Sequence, residues 1–176
     1  MPSTRLRELG ITIGRMPTGE HNAITDVPGV QVGYTTLIYD EPRIARTGVT
    51  AIVPRAGEIW RNNACAGYFS FNGTGEMTGM HYLTESGMLC YPVILTTTHQ
   101  VGTAHQAVIA YGQERGLSKG SALPVVAETY DGWLNDIDAF HIQGEHVFAA
   151  LDNAHGGPIA HCLGDAGGTD VAKAAA

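Results

Sequence analysis

The chain has 176 residues, is 44% hydrophobic and carries a formal net charge of −7. That is enough apolar material for one domain with a core, and nothing demands a second. The charges form no long run and the basic residues are scattered from Arg5 to Lys173, which argues against nucleic acid as a partner. No stretch approaches the ~18 apolar residues of a membrane span, and no apolar h-region follows the basic residues of MPSTRLRELGITIG, so the expected setting is the cytoplasm with no membrane partner.

The three cysteines, Cys65, Cys90 and Cys162, are odd in number, far apart and without a CxxC pair. Neither a disulfide framework nor a structural zinc site is therefore expected. The 23 glycines have another use. Several (Gly29, Gly48, Gly57, Gly87, Gly116, Gly132) fall at the ends of apolar runs, where turns need positive φ or close backbone approach.

In chain order, VQVGYTTLI and GVTAIVPR read as strands because β-branched residues are dense in both. A glycine-rich corner, FSFNGTGEMTG, follows. The spacing of Met77, Met80 and Leu83 then predicts one helical face in EMTGMHYLTESG. YPVILTTTH reads as a strand buried on both faces. VGTAHQAVIAYGQERG is predicted to be a helix through Val101, Ala104, Val108 and Tyr111, stopped by Gly116. ALPVVAET reads as a second buried strand, and QGEHVFAALDNAHGG as a helix ended by Gly156 and Gly157. This alternation places the chain in the α/β (α+β) class, with a layered sandwich and a doubly wound sheet both open on pattern alone.

Most chemistry-bearing groupings have a plain structural reading. Asp136, Asp138 and His141, or Glu145, His146 and His155, match no spacing that puts two metal ligands on one helical face beside a third. Solvated polar residues at helix starts account for them. NGTGE, Asn72 to Glu76, lacks both the Walker lysine and a full GxGxxG, so it reads as a turn with positive φ at Asn72 and Gly73, followed by a helix with Glu76 in its first turn. Ser121, in KGSALPVV, reads as a loop residue before a strand.

VVAETYDGWLND is different. Glu128 and Tyr130 fall two apart at the end of a buried strand, where alternation points them to one face. There a carboxylate can hold an ammonium and a phenol can donate to an oxyanion. A strand end that simply carries polar residues is the competing reading.

The blocks TDVPGVQVGYTTL, TGVTAIVPR, FNGTGEMTG, PVVAETYDGWLNDID and HVFAALDNAHGGPIA, consecutive and in order from about Ile24 to Ala160, resemble the N-terminal, α-subunit part of the DmpA-type S58 peptidases, the L-aminopeptidase/D-esterase and β-peptidyl aminopeptidase group. The resemblance implies an αββα sandwich like that of the ornithine acetyltransferase-like fold, incomplete in this chain, over residues 1–160 with a divergent tail at 161–176. It also implies a self-processing hydrolase whose nucleophile is a serine freed at the N-terminus of a β-subunit, acting without a cofactor as a homo-oligomer of αβ units on short peptides, amides or esters with a free amino terminus. On this chain the resemblance assigns the oxyanion hole to Tyr130 and substrate binding to Glu128, Asn72, Glu76 and Trp133. After GGPIA the chain reads HCLGDAGGTDVAKAAA. The nucleophile-bearing part is therefore expected on a complementary segment and the isolated chain is expected to be inactive. A non-catalytic fragment or partner-binding subunit is the alternative.

Overall fold

The computed structural model describes residues 6–55, 59–117 and 123–159. Gly57, Ser121, Cys162 and the 161–176 tail lie outside the described residues. A four-stranded sheet in the order β1-β2-β5-β6 organises the chain, built from β1 (Gln31–Tyr39), β2 (Ala45–Val53), β5 (Val93–Thr97) and β6 (Val125–Thr129). β1, β2 and β5 are successively antiparallel, and β6 runs parallel to β5. The parallel pair needs a crossover, which α2 (Val101–Glu114) supplies. A second, two-stranded sheet joins β3 (Ala64–Cys65) to β4 (Met88–Leu89), with the short α1 (Met80–Ser86) between them. Helix α3 (Gly144–Asp152) closes the described chain.

The two long helices cover one face of the main sheet. Thr35 donates its hydroxyl to the His146 carbonyl at 2.9 Å, and a Cβ on Gly33 would lie 2.0 Å from the Ala150 carbonyl oxygen, so β1 turns its odd-numbered residues to α3. Register carries that face across the sheet through Ala51, Ile94 and Val126, all with no measurable exposure. They pack with Val101, Ala104 and Val108 of α2 and with Val147 and Ala150 of α3 in one core cluster. The opposite face is only half-buried at Tyr34, Thr36, Ile52, Val93, Leu95 and Ala127.

Both sheet edges are partly occupied. Val32 and His155 exchange backbone hydrogen bonds along β1. Along β6, Thr78 donates its N–H to the Val126 carbonyl and Glu128 donates to the Glu76 carbonyl, each at 2.9 Å.

The helix over 101–114 ends as its sequence predicts: Gly116 has φ +61°, and the N–H groups of Leu117 and Gly116 return to the carbonyls of Gly112 and Gln113. Other expectations fail for local reasons. Met77 is not helical, because segment 76–78 pairs with β6 and α1 begins only after Gly79, at φ +76°. Glu76 is therefore not in a helical first turn. Helix α3 stops at Asp152, ahead of Gly156 and Gly157, where the chain turns to meet Val32. Gly48 lies mid-strand in β2, while Asn72 and Gly73 keep negative φ.

Candidate active site

Strand β6 ends at Thr129, and the next six residues form a pinned turn. The Asp131 carbonyl accepts the N–H groups of Leu134 at 3.2 Å and Asn135 at 3.1 Å. The Asp131 carboxylate, 2% exposed, accepts the Thr97 hydroxyl at 2.8 Å and the Asn135 side-chain amide at 3.1 Å. On its other side the Asn135 carbonyl oxygen accepts the Arg46 N–H at 3.0 Å. Asp136 is held by the Arg43 guanidinium through two bonds, at 2.5 and 2.6 Å, and donates its own N–H to the Ile44 carbonyl. The turn is thereby tied to β2, β5 and the β1–β2 connection.

On this turn the aromatic residues face outward. Trp133 is 88% exposed and Tyr130 60%. The phenol of Tyr130 folds over Gly132, so close that a Cβ there would sit 2.6 Å from the hydroxyl oxygen. Strand alternation stops one residue short of Tyr130, and the direction of its ring is set by this turn.

Glu128 is half-buried at the next-to-last ladder position of β6, opposite Thr96 of β5. Its carboxylate accepts the Thr98 hydroxyl at 2.6 Å. Glu76 is exposed, and its backbone carbonyl bonds the Glu128 N–H, which places the two acidic residues side by side at the sheet edge. Asn72 is also exposed, but its side-chain oxygen is occupied by the Thr74 N–H and hydroxyl and by the Gly75 N–H. In that geometry it shapes its own loop.

The strap along β6 is locked by one hydroxyl. Thr78 Oγ1 lies 2.7 Å from the Pro124 carbonyl, 3.0 Å from the Val126 nitrogen and 3.1 Å from His105 Nδ1. A hydroxyl has one proton and the carbonyl can only accept it, so Val126 N–H and His105 Nδ1–H must both donate to the oxygen. His105 is thus the Nδ1–H tautomer, and burial lowers its pKa below the ordinary 6.5.

Among the described residues no group of three His, Cys, Asp or Glu side chains could hold a metal ion. The acidic and histidine residues near the turn are committed locally: Asp138 to His99 at 3.1 Å, and His141 to the Tyr39 hydroxyl at 2.8 Å and the Ile44 carbonyl at 3.0 Å. No helix among the described residues is long and apolar enough to cross a membrane.

Sequence reasoning saw Asp131 only as a second carboxylate of the stretch and gave no role to it, to Asn135 or to Thr97. Their signal was present as a T…D…N triple, but nothing in the chain order brings Thr97 to the turn until β5 and β6 pair.

The family model of peptidase family S58 matches residues 22–174. The chain belongs to this family. It is 42% identical to the β-peptidyl aminopeptidase BapA of Sphingosinicella microcystinivorans over 185 residues, covering 96% of this chain and 46% of that protein. Among solved structures, a β-aminopeptidase of a Burkholderia species matches with a TM-score of 0.86 and 43% identity, over 94% of this chain and 48% of that one. The L-aminopeptidase D-Ala-esterase/amidase of Ochrobactrum anthropi, described as a prototype serine aminopeptidase with a variant of the Ntn-hydrolase fold, matches with a TM-score of 0.81 and 43% identity, over 88% and 46% of the two chains. The chain therefore spans about half the length of these relatives. The expected family and mixed α/β fold hold, the described residues forming a main sheet with helices on one face.

Proposed function

We propose that this chain is the α-subunit part of a serine aminopeptidase that works in the cytoplasm on short peptides, amides or esters with a free amino terminus, as oligomers of αβ units. The observation that carries the proposal is the end of β6: a solvent-accessible phenol on a rigid turn, two residues beyond a carboxylate held by Thr98. The half-buried second face of the main sheet suits a complementary β-subunit, whose strands would lie against Leu95, Ile52 and Ala127.

In the completed enzyme a serine supplied by that complement gives its Oγ proton to a base of the same segment, its own α-amino group or a neighbouring carboxylate, as Oγ adds to the substrate carbonyl, forming a C–O bond and moving the carbonyl π electrons onto oxygen; the base then passes that proton to the leaving group. Tyr130 donates its hydroxyl to this oxyanion, and the carboxylate of Glu128, with Glu76 beside it, holds the substrate's ammonium. Collapse expels the protonated amine or the alcohol, and water releases the acyl group by the same steps in reverse order. Trp133 flanks the entrance, and Asn72 acts through the loop it shapes.

The test is Tyr130→Phe in the completed enzyme, assayed on an aminoacyl-nitroanilide. Deleting one oxyanion donor should lower kcat about 100-fold, about 2.7 kcal/mol, with KM little changed. Turnover at the unmodified rate would remove Tyr130 from the oxyanion site.

A further inference from the structure

We infer that Asp131 and Asn135 form a positioning pair for Tyr130, an inference that rests on the oxyanion role just proposed. The hydrogen bonds around them have a forced direction. Arg46 N–H is a donor, so the Asn135 atom facing it at 3.0 Å is the carbonyl oxygen. That fixes the amide flip and turns the Asn135 NH₂ group toward Asp131, 3.1 Å away. The facing Asp131 oxygen must therefore accept, and the other oxygen takes the Thr97 hydroxyl at 2.8 Å.

The same two residues close the turn through their backbones, since Asn135 N–H also returns to the Asp131 carbonyl. Side chain and main chain thus define one rigid loop between residues 131 and 135. The Tyr130 ring rests on it over Gly132. A phenol 60% exposed has little packing of its own to fix it, so the support beneath it decides where its hydroxyl stands. Asp131, 2% exposed, is turned inward onto the Thr97 hydroxyl and the Asn135 amide. Its part is to hold the platform, which makes it a positioning residue.

The direction of the bonds supplies the experiment. Asp131→Asn keeps shape and volume but cannot serve both partners: with its oxygen toward Thr97 two NH₂ groups meet, because Asn135 cannot flip without losing Arg46, and with its oxygen toward Asn135 the buried Thr97 hydroxyl loses the acceptor for its proton. The turn loosens, and kcat in the completed enzyme should fall roughly 10- to 100-fold, the scale of a misplaced catalytic group. The double swap Asp131→Asn with Asn135→Asp restores every bond: the carboxylate at 135 accepts from Arg46 N–H and from the amide at 131, whose oxygen keeps the Thr97 hydroxyl. It should recover both thermal stability and kcat. In a Tyr130→Phe background, Asp131→Asn should cost nothing further, since the hydroxyl it positions is gone.

Should Asp131→Asn fail to fold, the swap still decides: recovery of folding with a normal kcat supports the pair. A swap that melts like the parent yet stays as slow as a Tyr130→Phe enzyme overturns the inference, because the carboxylate at 131 itself would then matter. Multiplying losses in the Tyr130→Phe/Asp131→Asn double variant overturn it too. A Tyr130→Phe enzyme of normal kcat overturns the oxyanion reading and this inference with it, whereas slow Tyr130→Phe with multiplying losses leaves that reading standing.

Discussion

Replacing Gly132 by alanine moves the Tyr130 hydroxyl without touching its chemistry. The added Cβ would lie 2.6 Å from the hydroxyl oxygen and 2.7 Å from the ring carbon that bears it, where ordinary contact begins at 3.4 Å. The oxygen must retreat by about 0.8 Å, the shortfall from 3.4 Å, or the turn must open. The turn is tied by Asp131, Asn135 and Asp136, while the ring is 60% exposed, so the ring is the part that yields. A displacement of about 1 Å in a catalytic group costs on the order of 100-fold in rate. Gly132→Ala in the completed enzyme should thus approach the Tyr130→Phe loss in kcat, with KM near the parent value, and should add little to that loss when both changes are combined. Because an exposed ring has little burial to lose, the melting temperature should stay within a few degrees. The measurement is steady-state turnover of an aminoacyl-nitroanilide alongside thermal unfolding by circular dichroism. Normal kcat in a folded Gly132→Ala enzyme would refute the reasoning, since the hydroxyl would then have no need of its present position.

Other expectations follow from neighbouring contacts. Glu128→Gln keeps the Thr98 contact and removes the charge; KM for free-amine substrates should rise roughly 10- to 100-fold, and for N-blocked substrates hardly at all, in the same assay. Gly33→Ala drives a methyl to 2.0 Å from the Ala150 carbonyl and 2.6 Å from the Ala154 nitrogen, both backbone, so β1 and α3 must separate. A loss of roughly 3 kcal/mol or outright misfolding is expected in urea titrations. His146 accepts the Gln143 N–H on Nδ1 at 2.9 Å, and burial, opposed by the nearby Glu145 charge, lowers its pKa from 6.5. With the folded value depressed, its contribution is complete above pH 6.5 and lost as pH falls through the folded pKa, when the unfolded chain already holds the proton. Urea midpoints measured from pH 7.5 to 5 should therefore fall, and less steeply in His146→Gln.

The sequence alone determined the strand and helix inventory wherever burial was periodic. Val101, Ala104, Val108 and Tyr111 repeat at helical spacing and Gly116 is free to adopt positive φ, so both the body and the stop of α2 follow from local physics. The family was legible too, because ordered blocks such as PVVAETYDGWLNDID persist in linear order. What the tertiary structure decided is how distant residues meet. Met77 looks helical by spacing, yet the free edge of β6 offers segment 76–78 a backbone partner, and pairing outweighs a weak local preference. Glu76 came beside Glu128 by the same pairing. The direction of the Tyr130 ring was beyond any period-two argument, since the strand ends at Thr129 and a turn built from Thr97, Asp131 and Asn135 takes over. Thr97 lies 34 residues from Asp131 in sequence, and only the parallel pairing of β5 with β6 brings its hydroxyl to that carboxylate. Periodicity describes which way a chain faces locally; a hydrogen bond between two strand ends exists only after the sheet has formed.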